Sequence, residues 1–205
     1  MTHPYITIRR AEPDDVALVT GLLAAAFQSG EFGPWLIPDP RHRALAYPGY
    51  FRIFAEHAVE HGHVHVIDQD AVALWYAVDN EFGIVIDDYV QRLRQAVGPA
   101  LHRFLALDQA MHHHHPTGQP HDYLAFLAVH PSRQRRGLGA ALLTHHHAGL
   151  DDEGRPAFLE ATGPATRRVY ERFGFEALVP YQVTPDSPQL HPMWRPAGAS
   201  RARVT

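Results

Sequence analysis

The apolar positions of this chain change their spacing from one stretch to the next, and each spacing predicts an element. Ile6 and Ile8 alternate with polar neighbours up to Arg10, as in a short first strand. Pro13 suits a first helical turn, and Val16, Val19, Leu23 and Phe27 then recur at helical intervals, which turns those four toward a core. Residues 29–40 are rich in Gly and Pro, hence a loop, yet they carry Phe32, Trp35, Leu36 and Ile37. Such aromatics either line a pocket or pin the loop to the core. A second helix is expected from Tyr50 to His61, stopped by Gly62, and a hairpin from Val64 to Ile67 and Val72 to Tyr76 around Gln69-Asp70. Ile86 to Val97 and Pro99 to Met111 predict two helices separated by Gly98. Tyr123 to Val129 and Pro156 to Ala161 are apolar runs of strand length, and the helix-length crossover between them predicts a parallel pair. Phe175 to Val183 and Leu190 to Trp194 are the last expected strands, and Pro196 to Thr205 a polar tail. With no repeat and no linker, one α/β domain is the economical arrangement.

Bulk composition narrows the classes. A chain of 205 residues suffices for one domain with a substantial core, and a hydrophobic share of 45% is ordinary for a soluble protein. A net charge of −4, with histidine neutral, argues against nucleic-acid binding driven by phosphate attraction. Cysteine is absent, which excludes a disulfide scaffold, thiol catalysis, cysteine-ligated zinc and any acyl-cysteine intermediate. Lysine is absent too, so every fixed side-chain cation is an arginine. No apolar signal core opens the sequence and no run is long enough to cross a membrane, so a cytoplasmic location without a membrane partner is expected.

The stretch from Val129 to Ala140 carries the most chemistry. It ends an apolar strand and opens a helix, and it mixes arginine with glycine at the transition: Gln134-Arg135-Arg136-Gly137-Leu138-Gly139. Glycines allow close backbone approach, and a first helical turn presents unpaired N–H groups to an anion. The combination suits a pyrophosphate. It lacks the Lys-Ser/Thr of a P-loop and the spacing of a dinucleotide fingerprint.

The ordered set of Tyr123-Leu124, Gly137-Leu138-Gly139, Pro156-Ala157-Phe158-Leu159-Glu160, Tyr170-Glu171-Arg172-Phe173-Gly174-Phe175 and Pro192-Met193-Trp194-Arg195 resembles the GCN5-related N-acetyltransferase (GNAT) superfamily. Within it the chain looks closest to the puromycin N-acetyltransferase-like group, to which Thr7 to Asp15 and Leu23 to Phe27 are also similar. The resemblance implies a mixed α/β fold with a central, mostly antiparallel sheet of six to seven strands. Helices would cover both faces, and the pair at residues 123–129 and 156–161 would be parallel and splayed. It implies one domain over residues 1–195, with 196–205 as a tail. The implied activity is transfer of acetyl from acetyl-CoA, without a metal, to a primary amine of a small molecule such as an antibiotic or aminonucleoside, by direct attack. A protein or peptide N-terminus is the alternative acceptor, and a non-catalytic acyl-CoA sensor the alternative class. Monomer and homodimer both fit.

The same resemblance distributes the roles. Backbone N–H groups of Gln134, Arg135, Arg136, Gly137, Leu138, Gly139 and Ala140 would meet the pyrophosphate, with Arg135 standing where relatives commonly carry glycine. Leu127, Ala128 and Val129 would pair with the pantetheine arm like an added strand, and an N–H at Leu127 or a neighbour would stabilise the oxyanion. Thr166 stands where relatives often have Asn. Tyr170 would protonate the leaving thiolate, since a phenol holds its proton at neutral pH. Glu160 is the candidate base for the amine, with His121, His130 and Glu31 weaker ones. Tyr50, Trp75, Tyr76 and Trp194 either line an aromatic pocket or pack in the core. The runs His112 to His115 and His145 to His147 are expected as an exposed loop and a solvated helix face, because consecutive side chains diverge and cannot converge on one ion.

Overall fold

The computed structural model describes residues 6–79 and 82–199. The elements run β1 (Arg9–Arg10), α1 (Val16–Phe27), α2 (Gly33–Leu36), α3 (Pro40–His61), β2 (His63–Ile67), β3 (Ala71–Val78), α4 (Tyr89–Val97), α5 (Leu101–His114) and β4 (His121–Val129). They continue with α6 (Leu138–Glu153), β5 (Ala157–Ala161), α7 (Pro164–Glu171), β6 (Glu176–Ala177), β7 (Tyr181–Gln182) and β8 (Gln189–Arg195). The eight strands form a mixed sheet in the order β1-β2-β3-β4-β5-β8-β6, with β7 paired to β8. All neighbours are antiparallel except β4 and β5. The expected fold holds; the count exceeds six to seven because β1, β6 and β7 are two-residue pieces.

Side-chain alternation along the strands makes two cores. Val72, Leu74, Tyr76 and Val78 of β3 join the core under α1, α3, α4 and α5. Ala71, Ala73 and Trp75 point the other way, into the core under α6. On β4 the alternation breaks: Phe126 faces Leu74 while Leu124 faces Trp75, so Ala125 is one residue extra. A bulge of this kind re-aims the backbone beyond it.

Local chemistry explains where the elements differ from the sequence reading. The second helix starts at Pro40 instead of Tyr50, although Pro48 lies inside it. Proline removes one intrahelical bond and crowds the preceding turn, at a cost of roughly 3 kcal/mol. The added turns offset this: Asp39 caps them by accepting from the Arg41 N–H at 2.8 Å, and they bury Arg43, Ala46 and Tyr47. The first strand shrinks to two residues, and α4 starts at Tyr89 rather than at Ile86. Phe175 to Val183 splits into two short pieces with Pro180 between them, which cannot donate to a ladder. Of the tail, residues 196–199 follow β8, and 200–205 lie outside the described residues. Among the described residues no helix is long and apolar enough to cross a membrane.

Candidate active site

β4 and β5 pair only at Asp122 with Ala157 and at Tyr123 with Phe158. β4 then runs on to Val129 and β5 to Ala161 with no ladder between them. A cavity of about 500 Å³ opens where they part. Leu124 to Leu127 line it from β4, Leu159 to Ala161 from β5, and Thr166 and Tyr170 from α7.

Glu160 alternates onto the same sheet face as Phe158, toward the cavity. The Tyr181 hydroxyl donates to its Oε1 at 3.3 Å, and its buried Oε2 meets no donor. Burial pushes the carboxyl up to about 8, against the lowering effect of the neighbouring Tyr123 and Tyr181 hydroxyls. Tyr170 packs on Phe175, with ring centroids 5.8 Å apart, and burial pushes its phenol well up, so it stays protonated across the neutral range. The Thr166 hydroxyl donates to the Gly163 carbonyl at 3.1 Å and keeps its lone pairs for a further donor. The carboxylate of Glu31, which also lines the cavity, sits over Gly163, where an added Cβ would lie 2.1 Å from it and would displace that flexible side chain. Of the weaker base candidates, His121 starts β4 against His115 and His130 bonds Ser132; neither lines the cavity.

The amino end of α6 is open. Its first backbone bond runs from the Ala141 N–H to the Gly137 carbonyl at 2.9 Å, so the N–H groups ahead of it have no helical acceptor. Gly137 has φ +82° and Arg135 φ +62°, both in the left-handed region. The left-handed region favours glycine, so Arg135 holds a strained conformation, with its side chain exposed. Gln134 reaches back to the Val129 carbonyl at 3.4 Å, while Ala128 is buried. Gly139 packs on β4, where an added Cβ would meet Leu127 and Val129 at 3.7 and 3.6 Å, ordinary contact distances. A row of unpaired N–H groups flanked by two arginines fits a diphosphate, and the gap between the strands fits an extended arm.

The opposite wall of the cavity is aromatic. Phe27, Tyr50, Phe51, Phe54 and Tyr89 line it, joined by Phe32 and Leu36 from the 29–40 loop. Trp75, Tyr76 and Trp194 do not. The loop does both things expected of it, since Trp35 and Ile37 are core residues. Its strongest tie escapes sequence reading. Buried Arg43 of α3 donates to the carbonyls of Ile37 (2.6 Å), Pro38 (3.1 Å) and Gln28 (3.3 Å). Asp108 and Tyr181 also escaped it, because their surroundings come from other elements.

The histidine runs meet their expectations only in part: His112 to His114 and His145 are exposed, though the first three end a helix and not a loop, whereas His115 and His147 are buried and His146 is half-buried. His112 to His114 finish α5, and His115 is buried, stacked on Phe82 at 3.6 Å between ring centroids and 2.9 Å from His121 Nε2. His114 stacks on Tyr181 and His112 lines the cavity. On α6, His146 stacks on Trp75 and meets Asp122 at 2.9 Å, and His147 is buried against Phe175. A lone run on a helix turns successive rings in different directions, so each finds its own neighbour. Among the described residues no group of three or more His, Asp or Glu is arranged to hold a metal.

Comparison with solved structures finds the same architecture. A protein from Corynebacterium glutamicum, described as histone acetyltransferase HPA2 and related acetyltransferase, superposes with a TM-score of 0.70 at 25% identity, covering 94% of this chain and 96% of that one. Arylalkylamine N-acetyltransferase 2 from Aedes aegypti matches at 0.61 and 13% identity, over 93% and 98%. The ribosomal-protein-S18-alanine N-acetyltransferase of Escherichia coli matches at 0.52 and 21%, over 94% of each chain. The last two are likenesses of fold. The acetyltransferase (GNAT) domain family matches residues 60–177, which include β4, the open end of α6, β5 and α7. With the parted strands and the open helix end in place, the chain belongs to the GNAT acetyltransferase family.

Proposed function

We propose that this protein, an N-acetyltransferase of the GNAT type, transfers acetyl from acetyl-CoA to a primary amine of a small molecule by direct attack. The observation that carries this reading is the cavity at the parting of β4 and β5, with Glu160 and Tyr170 in its wall. A cavity of about 500 Å³ with an aromatic wall has the size and lining of a small-molecule site.

The diphosphate of the donor lies on the N–H groups of residues 134–140, supplemented by Arg135 and Arg136. Its pantetheine arm follows Leu127, Ala128 and Val129, with the Thr166 hydroxyl as a further partner. The amine reaches the protein mostly as ammonium. Glu160, held near pH 8 and so matched to this task, takes a proton and releases the lone pair. The nitrogen attacks the thioester carbonyl, and the negative oxygen is met by an N–H at Leu127 or a neighbour, close to the Ala125 bulge. As the C–S bond breaks its electron pair stays on sulfur, which takes the Tyr170 proton. The second proton lost by nitrogen reprotonates Tyr170 through solvent.

The reading extends to the puromycin N-acetyltransferase-like group, a single domain over residues 1–195 with 196–205 as a tail, and a cytoplasmic monomer or homodimer. A thiol-release assay with acetyl-CoA and an amine panel that includes puromycin tests it. The protein has no thiol of its own to interfere. Amine-dependent release with formation of the N-acetyl product is expected. Coenzyme binding without release from any amine contradicts it and favours a sensor.

A further inference from the structure

Asp108 is a carboxylate that the proposed acetyl transfer does not use. It lies on α5, in the wall of the cavity that holds Glu160. The Tyr89 hydroxyl of α4 donates to its Oδ2 at 2.6 Å. Burial raises its carboxyl to about 6, against that hydrogen bond, and no cation contributes to its surroundings among the described residues. A carboxylate removed from water is ordinarily matched by a cation, and removing the match is costly. Here one phenol does that work alone. Tyr50, which also lines the cavity, is raised first by its own burial and then by the Asp108 charge. Among the described residues the lining holds Glu31, Asp108 and Glu160 and no arginine.

We propose that the acceptor is a diamine with an apolar, ring-sized body, its reacting amine at Glu160 and its second ammonium held by Asp108 at the wall of α4 and α5. The proposal rests on the acetyltransferase reading above. The rings of Tyr50, Phe54 and Tyr89 give the second ammonium π-faces as well as the carboxylate. An anionic group in that place meets an unscreened negative wall. A neutral one leaves the half-buried Asp108 with the Tyr89 hydroxyl and no cation.

The test compares para-xylylenediamine with para-ethylbenzylamine, which replaces one ammonium by a methyl group of similar size, in the thiol-release assay. The parent is expected to favour the diamine in kcat/KM by about 10- to 100-fold, as for a hydrogen bond to a charged group. Asp108→Asn keeps an acceptor for Tyr89 and is expected to abolish the preference for the diamine over the monoamine. Equal use of the two amines by the parent overturns the proposal and needs no folded variant. So does a preference that survives in Asp108→Asn. Release with monoamines but no preference leaves the acetyltransferase reading standing, whereas no release with any amine removes both.

Discussion

The two ends of the candidate site are made of different material. The proposed donor end is backbone: open N–H groups at the start of α6 and the edge of β4 that faces β5 without a ladder beyond Tyr123. The acceptor end is side chain: aromatics and carboxylates from α1, α3, α4, α5 and β5 that meet only in the folded chain. A backbone site depends on conformation and tolerates varied side chains, so a short motif specifies it. A side-chain site depends on many positions spread along the sequence, so it diverges freely and sets which acceptor enters.

Substitutions that act on one end only sharpen this contrast. The largest expected effect is at Glu160→Gln: a fall in kcat/KM of about 10²- to 10⁴-fold, the range of a general base, with coenzyme affinity unchanged by calorimetry. The sign of its pH dependence is fixed. Glu160 must lose its proton to act, so the parent's kcat/KM rises with pH through about 8, and the variant loses that limb. Tyr170→Phe comes next, with kcat down about 10- to 100-fold in single-turnover measurements and coenzyme affinity again spared. A variant that turns over like the parent removes the acid role.

Gly137→Val probes the donor end. Its Cβ would meet nothing within 4 Å, so the damage comes from φ +82° and not from crowding. A strain of about 1–2 kcal/mol predicts about tenfold weaker coenzyme binding, with kcat at saturating donor nearly kept. Loss of kcat instead erases the division between the two ends.

Smaller effects lie outside both. Burial pushes His115 and His147 down to about 3, so both are neutral at pH 7. Their contribution is present above the unfolded value near 6.5 and lost as pH falls toward 3. Denaturant midpoints should drop through that window, and less so in His147→Leu. Smallest is Arg135→Gly, expected to raise stability by about 1 kcal/mol by relieving a left-handed arginine. A thermal melt that shows destabilisation contradicts that.

Legibility in the sequence followed the same division. The strand-to-helix turn and the parallel pair were readable because backbone demands appear as residue types at fixed spacing. The start of α3 was hidden behind Pro48, whose penalty is outweighed by tertiary burial of Arg43 and Tyr47. The packed members of the histidine runs, His115 and His146, were hidden because polarity, read locally, cannot show Phe82 or Trp75 stacked against a ring. Asp108 looked like any helix-surface acid for the same reason: Tyr89 and Tyr50 come from other helices.

A crystal structure of the protein with coenzyme A tests the central claim most directly. The account predicts the diphosphate against the N–H groups of residues 134–140, the arm between β4 and β5, and the sulfur beside Tyr170 and Glu160. Coenzyme bound in another crevice, with the gap between the strands empty, contradicts it.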